Sequence, residues 1–113
     1  MRVVLVTAPA QAAESLASTL VAERLAACVN LIPGVASVYR WKGVVERSEE
    51  TLLVLKTTRS GFKRLASRLV ELHPYEVPEI VALDVTDAHA PYVAWVRGSI
   101  ASAPCRKTTK RRQ

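Results

Sequence analysis

The hydrophobic patterns of this 113-residue chain predict an α+β fold: a ferredoxin-like β-α-β-β-α-β sandwich with a long hairpin between its second and third strands and a short C-terminal helix. Three observations lead there. Two segments of helical spacing each lie between runs of strand character. The second and third strand patterns follow one another with no helical stretch between them. Both crossovers are long enough to be right-handed helical connections. The sheet should hold four antiparallel strands with two helices on one face. The chain offers little to cover the other face, which argues for self-association.

Residues 2–7 are a continuous apolar run rich in β-branched side chains, as in a strand buried on both faces. Pro9 suits a first helical turn, and residues 10–27 read as helix. Ala13, Leu16, Ala17, Leu20 and Val21 form one stripe there, with Glu14, Ser18 and Arg24 off it. Residues 28–32 turn strand-like, and Pro33-Gly34 punctuates them. Val35, Ser37, Tyr39 and Trp41 then alternate with Ala36, Val38, Arg40 and Lys42, a period of two with aromatics on one face. Gly43 interrupts this strand and residues 44–46 continue it. Arg47-Ser48-Glu49-Glu50 reads as a polar turn, and residues 51–58 as the return strand with Leu52-Leu53-Val54-Leu55 at its centre. Such a hairpin exceeds the usual strand length of about five or six residues. A small domain cannot cover all of it, so the far end with Tyr39 and Trp41 should project. Those aromatics either meet another subunit or lie over their own sheet.

Ser60 is placed to cap a second helix whose Phe62, Leu65, Ala66, Leu69 and Val70 follow the i, i+3, i+4, i+7, i+8 rule. The next seven residues, His73-Pro74-Tyr75-Glu76-Val77-Pro78-Glu79, organise the chain. Each proline fixes its own φ and pushes the residue before it out of the α region, so the helix should stop at about Leu72. A stiff segment then presents a histidine, a tyrosine and a glutamate at set angles. Residues 80–85 form the fourth strand, residues 87–91 a loop, and residues 92–100 a short helix.

Charge is unevenly spread. Of sixteen basic side chains, five lie in residues 106–113, where there is no acid. The first 105 residues hold eleven bases and ten acids, so the body is nearly neutral and gives no reason to expect nucleic acid as a partner. Residues 1–103 read as one domain and residues 104–113 as a basic tail expected to be disordered, whose own affinity for phosphates stays open. No apolar run approaches a membrane span, and Pro9 ends the first run too early for a secretory signal, so a cytoplasmic protein is expected. Cys28 and Cys105 match no zinc spacing and should be reduced thiols.

The runs LVTAP (5–9), AERLAACVNLIPGV (22–35), SVYRWKG (37–43), LLVLKTT (52–58), HPYEVPE (73–79) and YVAW (92–95) resemble the CutA family, named for divalent-cation tolerance. As a set they cover most of residues 3–96 in the family's order. The resemblance implies a homotrimer of ferredoxin-like subunits, similar to the PII signalling proteins, with the long hairpins packed round the three-fold and clefts between subunits. It implies a role in the response to metal ions, with copper bound by some members. The positions it carries over are Cys28, His73, Tyr75 and Glu76. Val6 and Leu72 stand where some bacterial members have a cysteine and a second histidine, so a metal here is expected to be weakly held and not obligatory.

The chemistry of these residues sets the remaining expectations. A neutral imidazole suits copper or zinc, and a thiolate suits Cu(I) or Zn(II), so His73, Glu76 and Cys28 are the candidate metal ligands. One chain offers too few for a closed site, which calls for a neighbouring subunit or solvent. The plainer roles are a small buried residue for Cys28 and a polar helix stop for His73. His89 is a further ligand type on an exposed loop. Lys56, with Tyr75 in the same cleft, could hold the Glu76 carboxylate or bind an anion. That supports an alternative: a module for a small anionic ligand or a protein partner, with metal effects indirect. No nucleophile elbow, P-loop or dinucleotide fingerprint is present, so an enzyme is not expected. RNA-recognition modules share the element order, but residues 5–7 and 52–58 lack their stacking aromatics.

Overall fold

The computed structural model describes residues 1–102, and the expected basic tail with Cys105 lies outside them. The elements run β1 (Arg2–Ala8), α1 (Ala10–Ala22), β2 (Cys28–Trp41), β3 (Val44–Thr57), α2 (Phe62–Leu72), β4 (Val81–Asp84) and α3 (Ala90–Ser99). The sheet order is β2-β3-β1-β4 with every neighbour antiparallel. This is the ferredoxin-like split β-α-β arrangement that the pattern predicts.

Alternation decides the two faces. Val4 and Val6 on β1 pair with Leu55 and Leu53 on β3, and all four are fully buried. Leu16 and Leu20 of α1 and Leu65 and Leu69 of α2 close on that face to complete the core. Each such leucine contributes about 1.5–3 kcal/mol by leaving water. The intervening positions face away from the helices. There Val81 and Leu83 of β4, paired with Leu5 and Val3, stay 46% and 50% exposed. An apolar sheet face without cover is what the sequence leads one to expect of a chain that meets copies of itself.

The hairpin is longer than the core it springs from. β2 and β3 have 14 residues each, about 46 Å at strand rise, against a longest dimension of 54 Å. Its turn corrects the sequence reading. Lys42 and Gly43 form a two-residue connection with φ of 51° and 83°, between the paired Trp41 and Val44. Positive φ at both positions is the primed-turn geometry that matches strand twist. Arg47-Ser48-Glu49-Glu50 is therefore not a turn but the middle of β3. Pro33-Gly34 does not end β2 either. The register slips between Ile32 and Val35, a bulge made possible by Gly34 at φ 74°.

Two helix ends also differ from expectation. α1 stops at Ala22, not residue 27, because Arg24 adopts a left-handed φ of 60°. Its guanidinium donates to the Gly98 and Ser99 carbonyls at 2.9 and 3.1 Å, and its own carbonyl accepts the Ala101 N–H. Those bonds offset the roughly 1–2 kcal/mol that a side chain costs in this region. At α2 the capping position is Gly61, whose N–H donates to Thr58 Oγ1 at 3.0 Å, rather than Ser60. Arg68 then ties α2 to the end of α1 through a two-pronged contact with Glu23, both distances 2.9 Å. Among the described residues no helix is long and apolar enough to cross a membrane.

Candidate functional site

His73 follows α2 with extended backbone, as Pro74 requires. Its side chain is 6% exposed. Nε2 lies 2.8 Å from the Thr7 carbonyl oxygen, and the Tyr75 N–H donates to Nδ1 at 3.1 Å. A carbonyl can only accept, so Nε2 carries the proton and the ring is the Nε2–H tautomer. β4 pairs with β1 only from Arg2 to Leu5, so Thr7 lies beyond the end of that pairing and His73 supplies its partner. Both ring nitrogens are thus committed to holding the HPYEVPE segment against β1.

Tyr75 stacks at a tilt on His73, 4.7 Å between ring centroids, and carries its hydroxyl to β3. There it donates to Glu50 Oε2 at 2.6 Å. Burial pushes the Tyr75 phenol well above its ordinary range, and the Glu50 hydrogen bond and charge push it further. The hydroxyl is therefore a neutral donor at any physiological pH. Glu50 is 6% exposed, which is rare for a carboxylate.

The register pairs Val35 with Glu50, Ser37 with Ser48 and Tyr39 with Glu46, which puts these residues on one face of the hairpin. Between that face and HPYEVPE runs an open groove of about 740 Å³. Glu46, Glu50, Glu76 and Glu79 line it with Tyr39, Trp41 and Tyr75, and no Lys, Arg or His is among its lining residues. Four of the ten acids of the first 105 residues thus face one groove.

The structure brings some predicted residues together and parts others. Tyr75, Glu76, Tyr39 and Trp41 share the groove, with His73 behind Tyr75. Cys28 and Lys56 face each other across β2 and β3, at the level of Val3 on β1. His73 meets Thr7, four residues further along, so roughly 13 Å of strand separates the two places. Lys56 donates to Asn30 Oδ1 and lies 4.0 Å from Cys28 Sγ. The expected pairing of Lys56 with Glu76 is thus not formed within the chain, because strand register sets Lys56 at the wrong end of β3. Among the described residues no three His, Cys, Asp or Glu side chains converge to hold a metal ion. The expected set of His73, Glu76 and Cys28 is accordingly not assembled by one chain.

Glu46, Glu50 and Glu79 escaped the sequence reading. A signal for the first two was present: a turn at Lys42-Gly43 continues the period of two through Glu46, Ser48 and Glu50 into Leu52.

Residues 2–99 match the family model described as CutA1 divalent ion tolerance protein. The chain belongs to this family. The divalent-cation tolerance protein CutA of Thermus thermophilus is 50% identical over 96 residues, covering 84% of this chain and 93% of that protein. A solved structure of the Thermus thermophilus protein superposes with a TM-score of 0.86 at 48% identity, over 89% of this chain and all of the other. The PII-like protein CutA of Nostoc sp. PCC 7120, in apo form, gives a TM-score of 0.86 at 40% identity, covering 89% of this chain and 98% of that one. The CutA match runs through β1 to α3, so it contains every wall of the groove.

Proposed function

We propose that this CutA chain acts as a cytoplasmic homotrimer that takes part in divalent-cation tolerance by binding cations, not by catalysis. Copper or zinc would be held weakly where one subunit's groove meets its neighbour. The observation that carries this reading is the state of the hairpin in a single chain. Val38 and Val45 are 68% and 63% exposed beside a groove lined by four carboxylates. Apolar surface of that kind favours burial against a copy, and a site that one chain leaves open is one a second chain can close. Glu76 is exposed and available to serve as a metal ligand, and Glu46 and Glu79 line the same groove. His73 would reach a metal only by giving up a hydrogen bond, from the Tyr75 N–H at Nδ1 or to the Thr7 carbonyl at Nε2, and Cys28 would have to come from another place in the assembly.

Native mass spectrometry, apo and with a slight excess of Cu(II) or Zn(II), tests both parts. The expected result is a trimer that gains about one ion per subunit, with the gain lost in Glu76→Gln. A monomer would sink the assembly, and a trimer that gains no ion would sink direct metal binding.

The lack of converging ligands among the described residues favours a second reading: a trimeric binding or signalling module, with metal effects indirect. The groove bears no basic side chain, so the small anion expected through Lys56 belongs, if anywhere, at the Cys28 end of the sheet.

A further inference from the structure

Two cysteines stand equally far along the chain from one fixed point. Cys28 follows Arg24 by four residues, and Cys105 follows Ala101 by four. The fixed point is the hydrogen bond from the Ala101 N–H to the Arg24 carbonyl, 2.9 Å long. Arg64 pins the same corner by donating to the Ala101 and Ser102 carbonyls at 2.7 and 3.0 Å. Four residues reach at most about 14 Å. The arm from Arg24 to Cys28 falls well short of that, because the Leu25 and Ala26 N–H groups both turn back to the Leu20 carbonyl, at 2.9 and 3.2 Å. An arm of equal length doubling back from Ala101 therefore spans it, with room for the roughly 4.4–6.8 Å between the α-carbons of a disulfide.

α3 gives a second measure of the same gap. Its Gly98 and Ser99 carbonyls accept from Arg24. Burial pushes the Tyr92 phenol up and the charge of Cys28 pushes it further, so the first turn of α3 lies beside that sulfur. From Tyr92 to Ser99 the helix advances about 10 Å, which the arm from Ala101 can cover.

The surroundings of Cys28 suit attack by its sulfur. The residue is half-buried, and Sγ lies 4.0 Å from the Lys56 ammonium. Lys56 makes no ion pair among the described residues, so no carboxylate there cancels its charge. Negative charge developing on the sulfur meets that ammonium, the electropositive and partly exposed setting in which reactive cysteines are found. A metal cation meets the same ammonium as a repulsion, which favours redox chemistry over ligation at this sulfur.

We propose that Cys28 and Cys105 form a hydroperoxide-sensitive thiol pair, reduced at rest and closed as an intrachain disulfide when a hydroperoxide is present. The Cys28 sulfur attacks one oxygen of the hydroperoxide. The O–O bond breaks, the thiol proton leaves with the departing water or alcohol, and a sulfenic acid remains on Cys28. The Cys105 sulfur then attacks Cys28 Sγ. The S–O bond breaks, and water leaves with the Cys105 proton. Two thiols lose two electrons together, and one hydroperoxide gains them. This goes beyond the cation reading and does not depend on it.

The full chain, reduced and freed of reductant, is treated with one equivalent of hydrogen peroxide. The expected product has lost two hydrogens by intact mass, runs as a single chain on a denaturing gel without reductant, and yields a linked Cys28–Cys105 peptide on digestion. Cys105→Ser should leave a sulfenic acid on Cys28 that dimedone captures; no capture would overturn Cys28 as the attacking sulfur. Lys56→Gln should slow the peroxide step several-fold, and an unchanged rate would overturn the part given to the ammonium. The fixed point has its own test. In a glutathione redox buffer the folded chain should close the pair about tenfold or more in preference to the same chain in urea, where the cysteines lie seventy-seven residues apart along a coil. Equal or weaker closure in the folded chain would overturn the proposal, because the corner at Arg24 would not then bring the thiols together. A disulfide formed between chains instead of within one would overturn it too.

Discussion

Replacing His73 by alanine should unfold this protein far more readily than a change at a helix stop normally would. The imidazole is 6% exposed and makes two hydrogen bonds, to the Thr7 carbonyl and from the Tyr75 N–H. Leaving the carbonyl unpaired beyond the end of β4 costs about 1–3 kcal/mol. The Tyr75 N–H belongs to a half-buried residue that water can reach, so its loss adds about 0.5–1 kcal/mol. Removing the ring from beneath Tyr75 adds about 1–2 kcal/mol of lost packing. The sum is about 2.5–6 kcal/mol per subunit. With a urea slope of about 1.5 kcal/mol/M for a chain of this size, the midpoint should fall by roughly 2–4 M. Tryptophan fluorescence in urea at one fixed protein concentration reads this, since the proposed assembly would make the midpoint concentration-dependent. His73→Gln, whose amide can still donate to Thr7, should recover about half of the loss. An alanine variant within about 0.5 kcal/mol of the parent would refute the reasoning, because no buried carbonyl could then depend on the ring.

Three further outcomes follow from other contacts. Gly61→Ala would set a Cβ 2.9 Å from Thr58 Oγ1 and 3.0 Å from Ile100 Cγ2, so it should cost about 1–3 kcal/mol, seen as a lower Tm. Asp84 bonds Arg2 and Arg59, each at 3.0 Å, and the Arg2 hydrogen bond, aided by both charges, holds its carboxyl below the usual range. The folded form therefore binds fewer protons than the unfolded one. Its stabilisation is fully present above the unfolded value of about 4 and is lost as pH falls through the lower folded value. Asp84→Asn should flatten that acid limb in urea midpoints taken between about pH 2 and 6, and an unchanged limb would count against the pairing. Val38→Lys, at a 68% exposed position on the hairpin, should leave the subunit fold intact by circular dichroism and weaken the proposed trimer in dilution experiments; an undisturbed trimer would remove Val38 from the proposed interface.

Local chemistry made some features readable and long-range register hid others. The prolines at 74 and 78 announce their own effect, so the end of α2 and the extended backbone at His73 could be read from neighbours in sequence. The hairpin's existence was legible in two adjoining strand patterns. Its turn was not, because Lys42 is an unusual occupant of a positive-φ position. The four polar residues 47–50 look like a turn for a physical reason: β3 there has left the hydrophobic core, so polar side chains are tolerated on both of its faces. That misreading concealed Glu50, which turn chemistry would place in water and the HPYEVPE segment in fact covers. Cys28 and Lys56 show the other limit. Their chemistry was visible, but which end of the sheet they occupy depends on pairing across β2, β3 and β1, and no local pattern states it. The clamp made by Arg24 was likewise hidden, since it joins residues more than seventy positions apart.

Arg24 has a consequence for the order in which this chain can mature. The residue that ends α1 sits in a backbone region it would not choose alone, and the groups that hold it there come from residues 98–101. During synthesis every strand of the sheet emerges before them. A nascent chain can therefore pair its sheet and dock both long helices while the corner after α1 is still unlatched. Residues 98–101 then close a bond network onto the corner after α1, so the helix that emerges first is among the last to be latched in place.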